Sequence, residues 1–96
     1  MRRVLWHAEA HADIDSIHDY FAEKDARVAT LLVARIEQAV VGLAKRDTGH
    51  PGRMPNLREK SVSRTRYIVA YRIRRSDLII LRVIHSAQNW TSDRWP

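Results

Sequence analysis

The hydrophobic period changes once along this 96-residue chain, and that change limits the folds available to it. Before residue 47 the apolar residues recur every three or four positions, which is typical of amphipathic helices. After residue 57 they alternate with polar residues, which is typical of strands. Between the two segments lie Gly49, Pro51, Gly52 and Pro55, out of three glycines and three prolines in the whole chain. We therefore expect helices, then a loop over residues 47–57, then strands.

The helical half predicts an antiparallel hairpin. Its apolar stripes indicate one helix over about residues 8–24 and a second that runs to about residue 47. Asp25 is the expected N-cap of the second helix. Val28, Leu31 and Val41 lie off the main stripe of that helix, so they either widen its core contact or face a partner. This two-sided pattern permits a dimer of the chain without requiring one.

The strand half predicts a hairpin of residues 67–74 and 78–85, with residues 60–63 as a candidate strand before it. Tyr67, Val69, Tyr71 and Ile73 should form the core side of the first of these strands, since alternate residues share a face. Another short strand is expected within the first six residues. The fold class is therefore a single α+β domain over residues 1–96. It consists of an N-terminal strand, a helical hairpin and a three-stranded antiparallel sheet.

Charge and composition narrow the function. Residues 1–50 carry seven basic and eight acidic side chains, whereas residues 51–96 carry ten basic and three acidic ones. Fourteen of the seventeen basic residues are arginine, whose planar fork of donors suits phosphates and carboxylates. The absence of cysteine excludes a disulfide framework. No apolar run approaches the roughly 20 residues of a membrane span or forms a signal peptide, so we expect a cytoplasmic protein.

Metal and cofactor chemistry is not indicated. His7 and His11 stand one helical turn apart, with Asp15 a turn later, but no HExxH arrangement or convincing third ligand accompanies them. Arg58 and Glu59 are neighbours in an extended segment and should point to opposite faces, so each is expected to pair with another residue. We predict no cofactor, no metal, no small-molecule substrate and no membrane partner.

Four ordered motifs resemble the RelE/ParE superfamily of bacterial toxins, and more closely its ParE branch. They are WHAEAHADIDSIHDY at residues 6–20, GRMPNLRE at 52–59, YIVAYR at 67–72 and HSAQNW at 85–90. The resemblance implies the toxin of a type II toxin–antitoxin module, with roles in plasmid stabilisation and growth arrest. It also implies a cognate acidic, ParD-like antitoxin in a hetero-oligomeric complex, with DNA gyrase as the target. A small acidic reading frame should then lie next to this one.

The RelE branch implies the alternative function, ribosome-dependent cleavage of mRNA. Ribonuclease relatives carry an arginine where this chain has Ile68, a basic residue at Ala87, and a C-terminal tyrosine in place of Trp90 or Trp95. These departures favour a binding toxin with no catalytic residues. If the chain were a ribonuclease, the candidates would be His85, Arg58, Arg64 and Arg72. His85 is more simply interpreted as a structural side chain that anchors the C-terminal segment. A third reading is a relative that has lost toxicity and only binds an antitoxin.

Two groups of residues are candidates for partner binding. The predicted target-binding residues are mostly arginines of the basic half: Arg53, Arg58, Arg72, Arg74, Arg82, His85, Arg94 and Trp95. The predicted antitoxin-binding residues combine apolar positions of the second helix with further arginines: Val28, Leu31, Arg35, Arg64 and Arg66. Arginine and tryptophan are enriched at interface hot spots, which is why both types appear in these sets.

Overall fold

The computed structural model describes residues 1–87. Seven elements follow one another along this part of the chain: β1 (Arg3–Trp6), α1 (Ala8–Ala22), α2 (Ala26–Lys45), β2 (His50–Pro51), β3 (Arg58–Ser61), β4 (Tyr67–Arg74) and β5 (Asp77–His85). The α+β class, the N-terminal strand and the helical hairpin are confirmed. The four predicted strands, one within the first six residues and the others at residues 60–63, 67–74 and 78–85, correspond to β1, β3, β4 and β5. Their observed bounds lie within a few residues of the predicted ones.

Side-chain caps begin both helices. The Nδ1 atom of His7 accepts a hydrogen bond from the backbone N–H of Glu9 at 3.2 Å, and this starts α1. Asp25 is the N-cap of α2, as predicted, and its Oδ1 accepts from the backbone N–H of Arg27 at 2.9 Å. Each cap satisfies a donor that the first helical turn leaves without a partner. Because only three residues separate the helices, they pack as an antiparallel pair.

The sheet has five strands in the order β1-β5-β4-β3-β2, whereas the sequence predicted an N-terminal strand and a three-stranded antiparallel sheet, four strands in all. The N-terminal strand joins the sheet as a parallel neighbour of β5, with Trp6 opposite Ile80. The segment expected to be an irregular loop contributes the two-residue edge strand β2, which pairs with β3. Such a short strand has no measurable period, which explains why the alternation of side chains did not reveal it.

The turn before β2 is shaped by a glycine. A Cβ atom at Gly49 would collide with the hydroxyl of Tyr71 and lie 2.6 Å from the carbonyl oxygen of Glu59. The chain can therefore pass over Tyr71 only where no side chain is present. The breaker residues of this segment thus allow a close approach of the backbone to the sheet, and they do not simply interrupt structure.

Apolar residues fill both faces of the sheet. The main core lies under the helices, where Ile36, Leu43, Val69, Tyr71 and Ile80 are all buried. Val69 and Tyr71 face this core as predicted, with Tyr67 and Ile73 packed at its margin. The opposite face carries a smaller cluster of Leu57, Ala70 and Leu81, which Met54 and Ile79 partly cover. The central part of β4 is therefore buried on both sides, and only its ends present side chains to partners.

Candidate partner-binding surfaces

A groove between α2 and the β3–β4 turn contains every residue predicted to bind an antitoxin. We call it the helix groove. It consists of two adjoining depressions of about 480 and 230 Å³, which share Leu31, Arg35 and Arg64. Val28 and Arg66 line the smaller depression. The five residues come from two distant parts of the sequence, so the fold has brought the predicted set together.

The floor of the helix groove is apolar. Val28 and Leu31 leave 46% and 50% of their surfaces exposed, although both are large aliphatic residues on a helix. The apolar face that they form is therefore not used to widen the core. Phe21 and Tyr67 contribute ring surface to the same depression. A partner with an apolar stripe would remove this surface from water.

The rim of the helix groove is basic. Arg35, Lys60, Arg64 and Arg66 line it, and its described lining contains no acidic side chain. One guanidinium is partly fixed in place, because Nη1 of Arg35 donates to the carbonyl oxygen of Arg64 at 3.4 Å. Arg64 itself has a left-handed backbone with φ of 63°. An apolar floor with a basic rim favours an amphipathic, acidic segment as its occupant.

His85 lines the smaller depression of the helix groove, against Tyr67. The two rings meet edge to face with centroids 5.4 Å apart. The Nδ1 atom of His85 accepts a hydrogen bond from the backbone N–H of Ala87 at 3.1 Å, so its neutral form carries the proton on Nε2. This contact supports the interpretation of His85 as an anchor of the segment after β5. Burial, with a contribution from Tyr20, raises the pKa of the Tyr67 hydroxyl.

A second groove lies at the far end of β4, and we call it the arginine groove. It has a volume of about 460 Å³, and Arg58, Arg72 and Arg74 line it together with Asn56 and neighbouring apolar residues. Nε of Arg72 donates to the carbonyl oxygen of Asn56 at 3.3 Å. Asn56 has a left-handed backbone with φ of 62°, a conformation that asparagine tolerates better than most residues. Three of the predicted target-binding residues therefore share this groove.

Arg58 has a structural role in addition to its place in the arginine groove. Its Nε lies 2.9 Å from Oδ2 of Asp47, and its Nη2 donates to the carbonyl oxygen of Gly49 at 2.9 Å. The buried Tyr71 hydroxyl donates to the same Asp47 carboxylate. Burial alone would raise the pKa of Asp47, but the hydrogen bonds from Tyr71 and Arg58 outweigh it and hold that pKa below its ordinary value. The network ties the end of α2 to β3 and β4.

Arg82 and Arg53 also have internal partners. Nε of Arg82 lies 2.7 Å from Oδ2 of Asp13 on α1, and this oxygen also accepts from the backbone N–H of Val83 at 2.9 Å. The Arg82 side chain is only 17% exposed, which argues against its predicted role in target binding. The buried Glu59 accepts from the backbone N–H of Arg53 at 3.0 Å. Arg58 and Glu59 thus pair with separate residues, as the sequence predicted.

The whole pattern matches a known family. A model of the ParE toxin of the type II toxin–antitoxin system parDE matches residues 4–90. The chain belongs to the ParE toxin family. A relative from Sinorhizobium fredii, named "Putative toxin Y4kP", is 39% identical over 90 residues and shares 93% of each chain. A solved structure, described as the chromosomal ParDE TA system from P. aeruginosa, superposes with a TM-score of 0.79 at 26% identity. That match covers 88% of this toxin and 96% of the solved chain.

The four residues considered for a ribonuclease site do not meet in this toxin. His85 is opposite Tyr67 at the beginning of β4, and Arg64 lies in the turn just before it. Arg58 is opposite Tyr71, four residues further along the strand, which corresponds to about 13 Å. Arg72 lies one residue beyond that. Two of the four residues therefore lie towards each end of β4, and Ile68, which lies between them, is buried.

Three other predictions concern the C-terminal target contact, metal binding and membranes. Arg94 and Trp95 lie outside the described residues, so their predicted contact with a target stays a prediction. No cluster of histidine and acidic side chains suited to a metal ion occurs among residues 1–87. Within the same range, neither helix is long and apolar enough to cross a membrane.

Proposed function

We propose that this ParE toxin inhibits DNA gyrase and that an acidic antitoxin neutralises it by occupying the helix groove. The proposal has two parts, since the toxin needs one surface for its target and another for its inhibitor. It also places the toxin in the cytoplasm, because both partners act there. The two parts rest on different observations and can be tested separately.

The composition of the helix groove supports an antitoxin partner. Exposed Val28 and Leu31 provide an apolar floor, and Arg35, Arg64 and Arg66 provide charge around it. Helix-in-groove recognition uses apolar anchors at helical spacing, and acidic residues beside those anchors would pair with the arginines. The structural relative from P. aeruginosa is described as a ParDE system, which pairs a toxin with an antitoxin. A hetero-oligomer of toxin and antitoxin follows from this part of the proposal.

We choose gyrase over the ribosome as the target because the residues that were candidates for ribonuclease catalysis lie apart in the fold. Internal cleavage of RNA requires a base, an acid and a charge-stabilising group around one phosphate. His85 and Arg64 lie at one end of β4, whereas Arg58 and Arg72 lie at the other. Arg58 is also held by Asp47 and Gly49. A surface of separated arginines favours docking onto a large partner over chemistry on a single bond.

One local observation favours ribonuclease activity as the second candidate. Arg64, Arg66, Tyr67 and His85 all line the smaller depression of the helix groove. A histidine beside two arginines has the residue types that such chemistry uses. This candidate would place the activity inside the groove that we assign to the antitoxin, so an antitoxin would block it directly.

Induced expression in bacterial cells, followed over time, tests the target. Inhibition of gyrase predicts early arrest of DNA synthesis, filamentation and induction of an SOS reporter, while incorporation of amino acids continues. In parallel, the purified toxin should reduce the supercoiling of relaxed plasmid by gyrase. The same toxin mixed beforehand with its antitoxin is the control and should have no effect.

Two outcomes would contradict the proposal. Rapid arrest of translation with new mRNA ends, and His85→Ala abolishing them, would establish the ribonuclease instead. Normal growth with soluble toxin present would support the reading in which toxicity has been lost and only antitoxin binding remains.

A further inference from the structure

The arginine groove has the features of a site for the phosphates of a nucleic acid. It is lined by Arg58, Arg72 and Arg74, and no acidic side chain is among its described lining residues. Guanidinium groups bind phosphate oxygens through two parallel N–H donors, which makes arginine well suited to this ligand. The groove and the helix groove lie at opposite ends of β4, so this site is separate from the proposed antitoxin site.

Arg58 is held by Asp47 and Gly49, so the available donors in the groove are those of Arg72 and Arg74. Nε of Arg72 is held by the carbonyl oxygen of Asn56, which orients the guanidinium and leaves its two terminal nitrogens for a ligand. Arg74 pairs with β5 through its backbone, but its exposed side chain makes no hydrogen bond or ion pair with any residue in the described part of the chain. The two side chains are two positions apart on one strand, and therefore about 6.6 Å apart along it. This arrangement suits successive phosphates of one strand.

The sheet leaves room for a ligand at this place. β3 pairs with β4 only from Ile68 to Tyr71, whereas β4 continues to Arg74. The end of β4 therefore projects beyond its neighbour, and the segment before β3 folds back beside it. The groove is open to solvent, so it can admit part of an extended polymer.

We propose that the arginine groove binds the phosphate backbone of duplex DNA. Proteins that recognise single strands or RNA usually stack bases on exposed aromatic rings. None of the described residues that line this groove is aromatic. Contacts to duplex DNA without sequence preference need only positive charge and donors, which the groove provides. An acidic protein would bring apolar contacts, and the helix groove offers the larger exposed apolar floor for those.

This inference rests on the proposed function for its setting, because it places the toxin on the DNA that gyrase holds. Its test uses purified toxin without gyrase, so the inference of DNA binding and the proposed inhibition of gyrase can fail separately.

The probe is a fluorescein-labelled 24-base-pair duplex, and binding is followed by anisotropy between 50 and 200 mM NaCl. The test variant is Arg72→Gln with Arg74→Gln. The matched control, with the same change of charge, is Arg27→Gln with Arg46→Gln on exposed positions around α2.

The expected result is a change in both affinity and salt dependence. If each arginine contacts one phosphate, the test variant should reduce the slope of log K against log salt by about 2. It should weaken binding by roughly 50-fold at 0.1 M salt. The control should stay within about threefold of the wild type, since only long-range charge has changed. Circular dichroism checks that each variant is folded. If the double variant unfolds, Arg74→Gln alone replaces it as the test variant, and we then expect half the change in slope.

Four results would overturn the inference. Equal loss in the test and control variants would show a general effect of charge. Tighter binding of the single strand than of the duplex would assign the groove to another nucleic acid. Displacement of the duplex by poly-glutamate at equal charge would assign it to an acidic protein. Gyrase inhibition without duplex binding would refute only this inference, whereas duplex binding without gyrase inhibition would refute only the proposed function.

Discussion

At the scale of single residues, arginines that look equivalent in the sequence have different roles in the fold. Arg82 is held by Asp13, and Arg58 is held by Asp47, whereas the side chain of Arg74 has no hydrogen-bond or ion-pair partner among residues 1–87. All three belong to the basic half that the charge count singles out. A count of charges cannot separate them, because what distinguishes them is a carboxylate from a distant part of the chain. The structure thus separates arginines that are held by internal carboxylates from arginines such as Arg74, whose side chains are open to a ligand.

The Asp47 network predicts a dependence of stability on acid. Because the hydrogen bonds from Tyr71 and Arg58 lower the pKa of Asp47 in the folded state, its contribution is present above the unfolded-state value, near 3.8. That contribution is lost as the pH falls through the lower, folded-state pKa. Asp47→Asn should therefore lower the free energy of unfolding by about 1 kcal/mol at pH 7, and by progressively less below pH 4. Urea unfolding of the wild type and the variant between pH 2 and 7 measures the loss of stability at pH 7 and its decrease in acid.

Asp15→Asn is the matched control, since Asp15 is an exposed carboxylate on α1. It should leave the stability at pH 7 within about 0.5 kcal/mol of the wild type. An Asp47→Asn variant that behaved like this control at every pH would show that the network adds nothing to folding.

At the scale of elements, the sequence predicted the helices and strands that show a hydrophobic period over many residues. It did not predict pairings and contacts between residues that are distant in the chain. Both helices and the β4–β5 hairpin were predicted because each repeats its pattern over many residues. The parallel pairing of β1 with β5 was not, since a four-residue strand does not identify its neighbour. The contact of Asp13 on α1 with Arg82 on β5 was not predicted either. Helical spacing gives only the angle of each residue around the helix axis. Because Asp13 lies at the border of the apolar stripe, that angle does not decide whether its side chain faces solvent or the sheet.

The same limit applies to the candidate site. The residues of the helix groove were predicted from exposed apolar positions of α2 and from arginines near the β3–β4 turn, and the fold brings them together. The arginine groove was predicted only as separate residues. Its shape depends on β3 ending before β4 does and on the left-handed backbone of Asn56, neither of which has a signal in the composition.

The Asp13–Arg82 pair predicts how α1 is attached to the sheet. β1 covers β5 only as far as Ile80, and beyond it the Asp13 carboxylate accepts from the backbone of Val83 and pairs with Arg82. Both side chains are mostly buried, so removing one would leave the other without compensation. In a double-mutant cycle of Asp13→Asn and Arg82→Met, we expect a coupling of about 2 kcal/mol, measured by urea unfolding.

The Arg3–Asp77 pair is the natural comparison, because it also links the N-terminal segment to β5. Its Nε–Oδ1 distance is 3.1 Å, but the Arg3 side chain is 71% exposed and water screens the interaction. The cycle of Arg3→Met and Asp77→Asn should therefore give a clearly smaller coupling. Equal couplings for the two pairs would contradict the role assigned to Asp13.

At the scale of the whole molecule, β4 separates the two proposed binding surfaces. The helix groove meets it at Tyr67 and the arginine groove at Arg74, and eight residues of strand span about 23 Å between them. An inhibitor that fills the helix groove therefore need not touch the arginines proposed to contact DNA. Antitoxin recognition and toxicity should be separable by mutation.

Leu31 and Val41 provide the test of that separation. Both are aliphatic residues of α2 with similar exposure, 50% and 46%, but only Leu31 lines the helix groove. Leu31→Glu removes an apolar anchor and sets a negative charge against an acidic partner, so it should weaken antitoxin binding by about 30-fold. Calorimetry with the purified antitoxin measures the loss.

In cells that express both proteins, the Leu31→Glu toxin should still arrest growth, because its target surface is intact. Val41→Glu carries the same charge and should be neutralised like the wild type. If the two variants lost antitoxin affinity equally, or if Leu31→Glu lost toxicity while it remained folded, the two surfaces would not be independent, and the antitoxin would have to act on the target surface itself.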